Sequence, residues 1–207
     1  MFEFLFSQYK DYSTIDIVLE VITIIFGLIS VFFAKKNNIL VYPTGIVNTA
    51  IYVYLLWKWS LLGDMMINVY LFIMSIYGWV NWALKKENVF IYPISKTSKK
   101  EYLISLILFI ATILFVVGVY LYFDKFTHWT NYLDTLVTGL IFVGMWLMAK
   151  RKIENWIFLI IADLISIPMY FAKGYTFSSI FYLSLSIIAY FGYKEWRTYL
   201  QQETLSK

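Results

Sequence analysis

The chain has 207 residues, 61% of them hydrophobic and 14% charged, with a formal net charge of +4 and a mean hydropathy of +0.70. A soluble domain averages roughly 25% charged and about 45–50% apolar residues, and a chain this short cannot bury so much apolar surface in a water-soluble core. A soluble globular enzyme and a disordered chain are therefore excluded, and lipid is the solvent for most of the sequence.

In chain order, residues 1–13 carry Glu3, Lys10 and Asp11. They lack the basic start and small-residue cleavage site of a signal peptide, and read as an interfacial lead-in. Seven apolar runs long enough to cross about 30 Å of hydrocarbon follow: Ile15–Ala34, Ile39–Trp57, Leu61–Leu84, Tyr102–Phe123, Tyr132–Ala149, Trp156–Ala172 and Tyr175–Tyr193. Backbone in lipid must satisfy itself within helices or closed barrels, and the strict alternation of barrel strands is absent. The expected fold is an all-α integral membrane protein, residues 1–207 forming one transmembrane transporter domain of seven helices.

Thirteen of the seventeen Lys and Arg fall after spans 1, 3, 5 and 7, while Lys10, Lys58, Lys125 and Lys173 lie on the other side. The positive-inside rule then predicts the N-terminus out and the C-terminus in, at a cytoplasmic (inner) membrane. So placed, the positive charge is a topology signal and does not point to nucleic acid. Trp57, Trp59, Trp79, Trp82, Trp129, Trp156 and Trp196 lie near span ends, where an interfacial aromatic belt is the plain reading.

The chain also resembles itself at a shift of 114–115 residues. Ala34-Lys35-Lys36 matches Ala149-Lys150-Arg151, and Gly78-x-x-x-Trp82 matches Gly192-x-x-x-Trp196. Three spans per half with span 4 as a linker predict a 3+1+3 parallel repeat: repeat 1 about 15–84, linker helix about 102–123, repeat 2 about 132–199. Parallel repeats place substrate near midplane at the repeat interface.

Polar groups at that depth are costly and face a bundle interior or a wet cavity. Asn48 and Asp163 occupy equivalent mid-span positions, and no Lys or Arg lies at the depth of Asp163. Three states are open to its carboxyl: neutral at rest, bonded to a neighbour such as Asn48, or ionised when a cation arrives. Asn48 and Asn68 serve equally as ligand contacts or interhelical hydrogen-bonders. Glu20 and Asp134, near span starts, suit the helix dipole, and Asp64 reads as a cap. His128 sits in an outward loop. Pro168 predicts a kink in span 6, and Pro43 one in span 2. No cysteine, one histidine and no phosphate-cradling glycine run leave no redox centre, metal site or nucleotide motif. No cofactor is expected.

The run Glu154-Asn155-Trp156-Ile157-Phe158-Leu159-Ile160-Ile161-Ala162-Asp163-Leu164-Ile165-Ser166 resembles the span-6 signature of the PnuC family of nicotinamide riboside transporters. Ile76-Tyr77-Gly78-Trp79-Val80-Asn81-Trp82 resembles that family's IYGWYxW, and Gly45-x-x-Asn48 its span-2 pattern. Trp129 to Asp134 occupies the place of its aromatic-acid stretch before span 5. The resemblance runs from about residue 15 to 200. It implies a SWEET-like bundle, not an enzyme, that moves a non-phosphorylated B-vitamin by facilitated diffusion while a cytoplasmic kinase traps it. Its ligand-facing positions map onto Asn48, Asn68, Trp156, Leu159, Asp163 and Tyr182.

Three positions depart from the family's pattern. Leu159 stands for a tryptophan, Asp163 for an asparagine and Asn68 for a glutamine. Losing an indole removes a stacking face worth about 0.5–2 kcal/mol to a cationic ring, whereas the carboxylate adds a charge that a pyridinium or thiazolium neutralises. The implied cargo is nicotinamide riboside, with thiamine as the alternative. Proton-coupled uptake through Asp163 and a non-transporting membrane subunit are the rival classes. The partners are a small vitamin and the bilayer, with homo-oligomerisation left open.

Overall fold

A computed structural model describes residues 13–59, 62–86, 89–124 and 128–205. Lys10, Lys125 and Lys207, the lead-in up to residue 12 and the side chain of Asp64 lie outside what it describes. Seven helices occur among the described residues: α1 (Thr14–Lys35), α2 (Val41–Lys58), α3 (Leu62–Ala83), α4 (Lys99–Tyr122), α5 (Thr130–Ala149), α6 (Asn155–Ala172) and α7 (Thr176–Leu205). Five of them (α1, α3, α4, α5 and α6) are long and apolar enough to cross a membrane. The last helix continues well beyond the Tyr193 expected from hydropathy, because Lys194, Glu195 and Arg197 are good helix formers that end an apolar run without ending a helix.

Local chemistry sets the helix starts. The Ser13 side chain accepts from the Asp16 N–H at 3.2 Å. Ser98 and Glu101 form a reciprocal capping box on α4, which satisfies two N–H groups that the helix leaves open. Pro43 falls in the first turn of α2, where an N–H has no intrahelical acceptor to lose, so the kink expected there has no cause. Pro168 does lie inside α6.

The face of each helix is legible in its stripes. On α1, Val18, Val21, Ile25, Ile29 and Phe32 are exposed, as lipid-facing residues are. The opposite stripe, at helical spacing, is Asp16, Glu20, Thr23, Gly27, Ser30 and Ala34, all polar or small. It receives the neighbouring helices. Lys58 of α2 binds Asp16 at 2.8 Å, Asn48 Nδ2 donates to the Thr23 carbonyl at 2.6 Å, and Ser30 donates to the Val41 carbonyl at 2.7 Å.

Each of α1–α3 packs on the next, as do α4–α7, while α1 also meets α7 and α3 meets α5. Two indole hydrogen bonds tie these last contacts. Trp82 Nε1 at the end of α3 donates to the Met148 carbonyl of α5 at 3.1 Å. Trp196 Nε1 of α7 donates to the Ala34 carbonyl of α1 at 3.0 Å. The ends of α1 and α5 thus share one face of the bundle with the ends of α3 and the apolar part of α7.

These tryptophans are not an interfacial belt. Trp82 is 1% exposed, and Trp156 and Trp196 are 0% exposed. The Trp82 and Trp196 rings lie 5.9 Å apart, Tyr42 meets Trp82 edge-on at 5.1 Å, and Trp156 meets Trp196 edge-on at 5.5 Å. Gly78 makes room for Tyr42, and Gly192 for Trp156. The repeated Gly-x-x-x-Trp is therefore a packing device: glycine admits an aromatic ring from the preceding helix, and tryptophan one turn on donates to a carbonyl at the end of a helix distant in sequence. Trp57, Trp79 and Trp129, at 64%, 42% and 54% exposure, face outward, as side chains of an interfacial belt would.

The connection from α3 to α4 holds a short antiparallel pair, β1 (Lys85–Lys86) and β2 (Val89–Phe90), that hydropathy alone did not suggest. It docks on the α5–α6 turn. Ser95 exchanges backbone bonds with Arg151 and Ile153 at 3.1 and 3.0 Å, and Glu154 accepts from Thr97 N and Oγ1 at 2.9 and 2.6 Å. Arg151 lies between the Trp82 and Phe90 rings, 4.2 and 4.4 Å from their centroids. Burial lowers its guanidinium to about 10, which leaves it charged at neutral pH and held by cation–π attraction.

Candidate functional site

The first site residue is placed by α6. At 1.5 Å per residue, Asp163 sits about 13 Å from the Ala172 end, near the middle of this helix of 18 residues. Trp156, Leu159 and Asp163 follow at i, i+3 and i+7, hence on one face. That face is buried against α5 and α7: Leu159 fills the space left by Gly144, and Trp156 that left by Gly192.

Asp163 is 7% exposed. Among the described residues its carboxylate takes part in no hydrogen bond and no ion pair. The described salt bridges use Lys36, Lys58, Lys150, Lys152 and Lys173, all at helix ends or in turns. Among the described residues the carboxyl thus meets no cation, in agreement with its sequence context. The alternative of an Asn48–Asp163 bond is not realised among the described residues, where Asn48 Nδ2 donates to the Thr23 carbonyl.

Tyr182 of α7 stacks on Tyr170 of α6 at 5.0 Å. It also lies within electrostatic reach of Asp163, Tyr52 and Asp134. Tyr52 and Tyr170 escaped the sequence reading, although the signal was present: Tyr52 is one turn from Asn48, and Tyr170 two turns from Asp163. Tyrosines in a chain with 18 of them do not stand out until helix faces are known. Asn68 is half-buried on α3, away from α6 in the order of helix contacts. Nearby, Tyr70 stacks on Phe142 of α5 at 3.6 Å and donates to its carbonyl at 2.9 Å.

The end of the site opposite the tryptophan cluster is flanked by two ion pairs. Asp16 of α1 holds Lys58. Asp134 of α5 holds Lys173 at 3.1 Å and accepts from Tyr120 at 3.1 Å. Each pair joins one helix to the end of the next, α1 to α2 and α5 to α6, so Asp134 is an ion-pair member as well as a dipole partner. His128 is exposed, with Nδ1 3.1 Å from Thr130 Oγ1. No group of three His, Asp or Glu among the described residues could hold a metal. A cavity of about 590 Å³ lies elsewhere, between α4 and α5, lined by Phe109, Ile113, Val117, Leu121, Tyr132, Thr135 and Leu136.

Comparison with known proteins places this arrangement. The chain is 24% identical to the nicotinamide riboside transporter PnuC of Escherichia coli (strain K12), over 86% of this chain and 84% of that one. A shorter match, 28% identical over 33% of the chain, is to the riboflavin/roseoflavin transporter RibM of Streptomyces davaonensis. The crystal structure of the vitamin B3 transporter PnuC superposes with a TM-score of 0.69 at 19% identity, covering 91% of this chain and 84% of that one, and so shares the fold. The family model described as nicotinamide mononucleotide transporter matches residues 17–198, nearly the whole helical chain, and this multi-pass membrane protein belongs to that family, the PnuC transporters.

Proposed function

We propose that the chain carries a cationic, non-phosphorylated B-vitamin, nicotinamide riboside first, into the cytoplasm by facilitated diffusion through the inner membrane. The observation that carries this reading is Asp163: a buried mid-helix carboxylate with no cation of its own. A positively charged ring neutralises it, whereas a phosphate at that depth would meet a carboxylate and no arginine or lysine. The names of the relatives and the family support the vitamin, and the lack, among the described residues, of a cation beside Asp163 favours the riboside over the mononucleotide.

The architecture that serves this function is a 3+1+3 parallel repeat with a SWEET-like arrangement, N-terminus out and C-terminus in. The shared ends of α1, α3 and α5, the paired contacts of α1 with α7 and of α3 with α5, and the position of α4 outside these pairs support it. Asn48, Asn68, Leu159, Asp163 and Tyr182 line the site. Trp156 forms its cytoplasmic floor, and its ring reaches a ligand as the contact with Trp196 loosens. The two halves rock about this site, and binding must be similar in both facing states, since a ligand that strongly favours one shifts the population there. A cytoplasmic kinase then removes the free vitamin and keeps flux inward.

The test is uptake into proteoliposomes. Asp163→Ala is expected to abolish nicotinamide riboside uptake while keeping a monodisperse profile in detergent, and collapsing a proton gradient is expected to leave wild-type uptake unchanged. Titration of purified protein with nicotinamide riboside, thiamine and riboflavin identifies the vitamin. Unimpaired uptake by Asp163→Ala refutes the site.

A further inference from the structure

The inner stripe of α1 contains a second carboxylate that the reading above leaves unused. Glu20 lies between Asp16, which is paired with Lys58, and Thr23, whose carbonyl receives Asn48. Its Oε2 is fully buried and has no hydrogen-bond partner. The lipid-facing stripe of α1 is Val18, Val21, Ile25 and Ile29, so Glu20 points to the bundle side.

The internal repeat sharpens the anomaly. The shift of 114 that relates Gly78 to Gly192 and Trp82 to Trp196 also relates Glu20 to Asp134. In the second half the lysine after the second helix, Lys173, sits on Asp134. In the first half the corresponding lysine, Lys58, sits one turn further out, on Asp16. The first half therefore has two carboxylates for one lysine, and the inner one is left over. A buried carboxylate oxygen without a donor is expensive. No donor among the described residues offsets that cost here.

The levels agree with a path. At 1.5 Å per residue, Glu20 lies about 9 Å from the start of α1, Tyr182 about 9 Å from the start of α7, and Tyr52 about 9 Å from the end of α2. Asp163 and Asn48 lie about 13 and 15 Å in. These helix ends share the face opposite the tryptophan cluster, because Trp196 ties the other end of α7 to that of α1 and α2 returns antiparallel to meet Asp16 through Lys58.

We propose that Glu20 is a second substrate-contacting carboxylate, an outer station about one turn before Asp163, which receives an organic cation on its way in. The inference rests on the cationic-vitamin reading above. Two carboxylates in succession, neither neutralised by the chain, pass a monocation inward without trapping it between two fixed charges at once.

The test measures initial uptake of nicotinamide riboside into oriented proteoliposomes, with a detergent melting curve for each variant. Glu20→Gln keeps the shape and removes the charge. It is expected to raise KM from the outer side roughly ten-fold, equivalent to about 1.4 kcal/mol, with the maximal rate within two-fold of wild type and an unchanged melting temperature. Asp163→Ala serves as the reference for loss at the inner site. An unchanged KM in Glu20→Gln, alongside loss of uptake in Asp163→Ala, overturns the outer station and leaves the inner site standing. If the wild type itself moves no nicotinamide riboside or thiamine, the cationic-vitamin reading fails and the outer station falls with it. Should Glu20→Gln lose its melting transition, Glu20→Ser, small and uncharged, carries the test: a raised KM supports the station and an unaltered one overturns it.

Discussion

The repeated glycine–tryptophan device gives a sharp stability prediction. A β-carbon added at Gly192 would lie 2.7 Å from Cη2 and Cζ2 of Trp156 and 2.9 Å from Cε2, whereas ordinary contacts begin near 3.4 Å. The Trp156 ring would have to retreat by most of an ångström. It has nowhere to go, being 0% exposed and braced edge-on against Trp196 at 5.5 Å. Overpacking of this kind costs about 1–3 kcal/mol, and the gain in helix propensity from glycine to alanine returns up to about 1 kcal/mol. Gly118 on α4 supplies the control, since a β-carbon there meets nothing within 4 Å and only the propensity gain applies.

Gly192→Ala is therefore expected to melt below wild type and Gly118→Ala at or above it. At about 2–4 °C per kcal/mol for a chain of this size, the two should differ by several degrees. Melting followed by size-exclusion in detergent, at fixed protein and detergent concentration, measures this. Equal melting temperatures for the two variants would refute the argument that glycine is present at 192 for lack of space.

Two further outcomes follow from the same end of the molecule. Trp82→Phe and Trp196→Phe keep a ring and remove the N–H, leaving the Met148 and Ala34 carbonyls with only their backbone donors, Arg151 and Asn37. Each should cost about 0.5–1.5 kcal/mol, and similar losses in the two variants would mark them as repeat-equivalent in the same melting assay. Arg151→Ala removes contacts with two rings and a 3.1 Å hydrogen bond to the Tyr92 carbonyl, for an expected loss of about 2–4 kcal/mol. Lys150→Ala, which removes a long 3.9 Å ion pair to Glu101, should cost under about 1 kcal/mol.

Much of the fold was legible in the sequence because lipid imposes one rule on every span: backbone groups must close on themselves in helices and apolar side chains must face outward. That rule predicted seven helices, and seven are found among the described residues. The exceptional character of Asp163 was legible for the same reason, since a carboxylate in a span without a lysine or arginine at its depth stands out in one dimension.

What required tertiary structure was direction and partnership. Tryptophans near span ends look alike in sequence, yet Trp57 faces outward and Trp196 is sealed inside, because only helix packing decides which end-of-span indole finds a carbonyl. Pro43 and Pro168 are the same residue type, and the helix start at Val41 alone makes one harmless. Glu20 and Asp134 read alike as acids near span starts, and the structure adds Asp16 as a third. The placement of Lys58 and Lys173 separates the two that are paired from the one that is not. Composition and periodicity choose the solvent and the secondary structure, because those depend on neighbours along the chain. Which polar group is left without a mate depends on neighbours across helices, and that only the packed bundle decides.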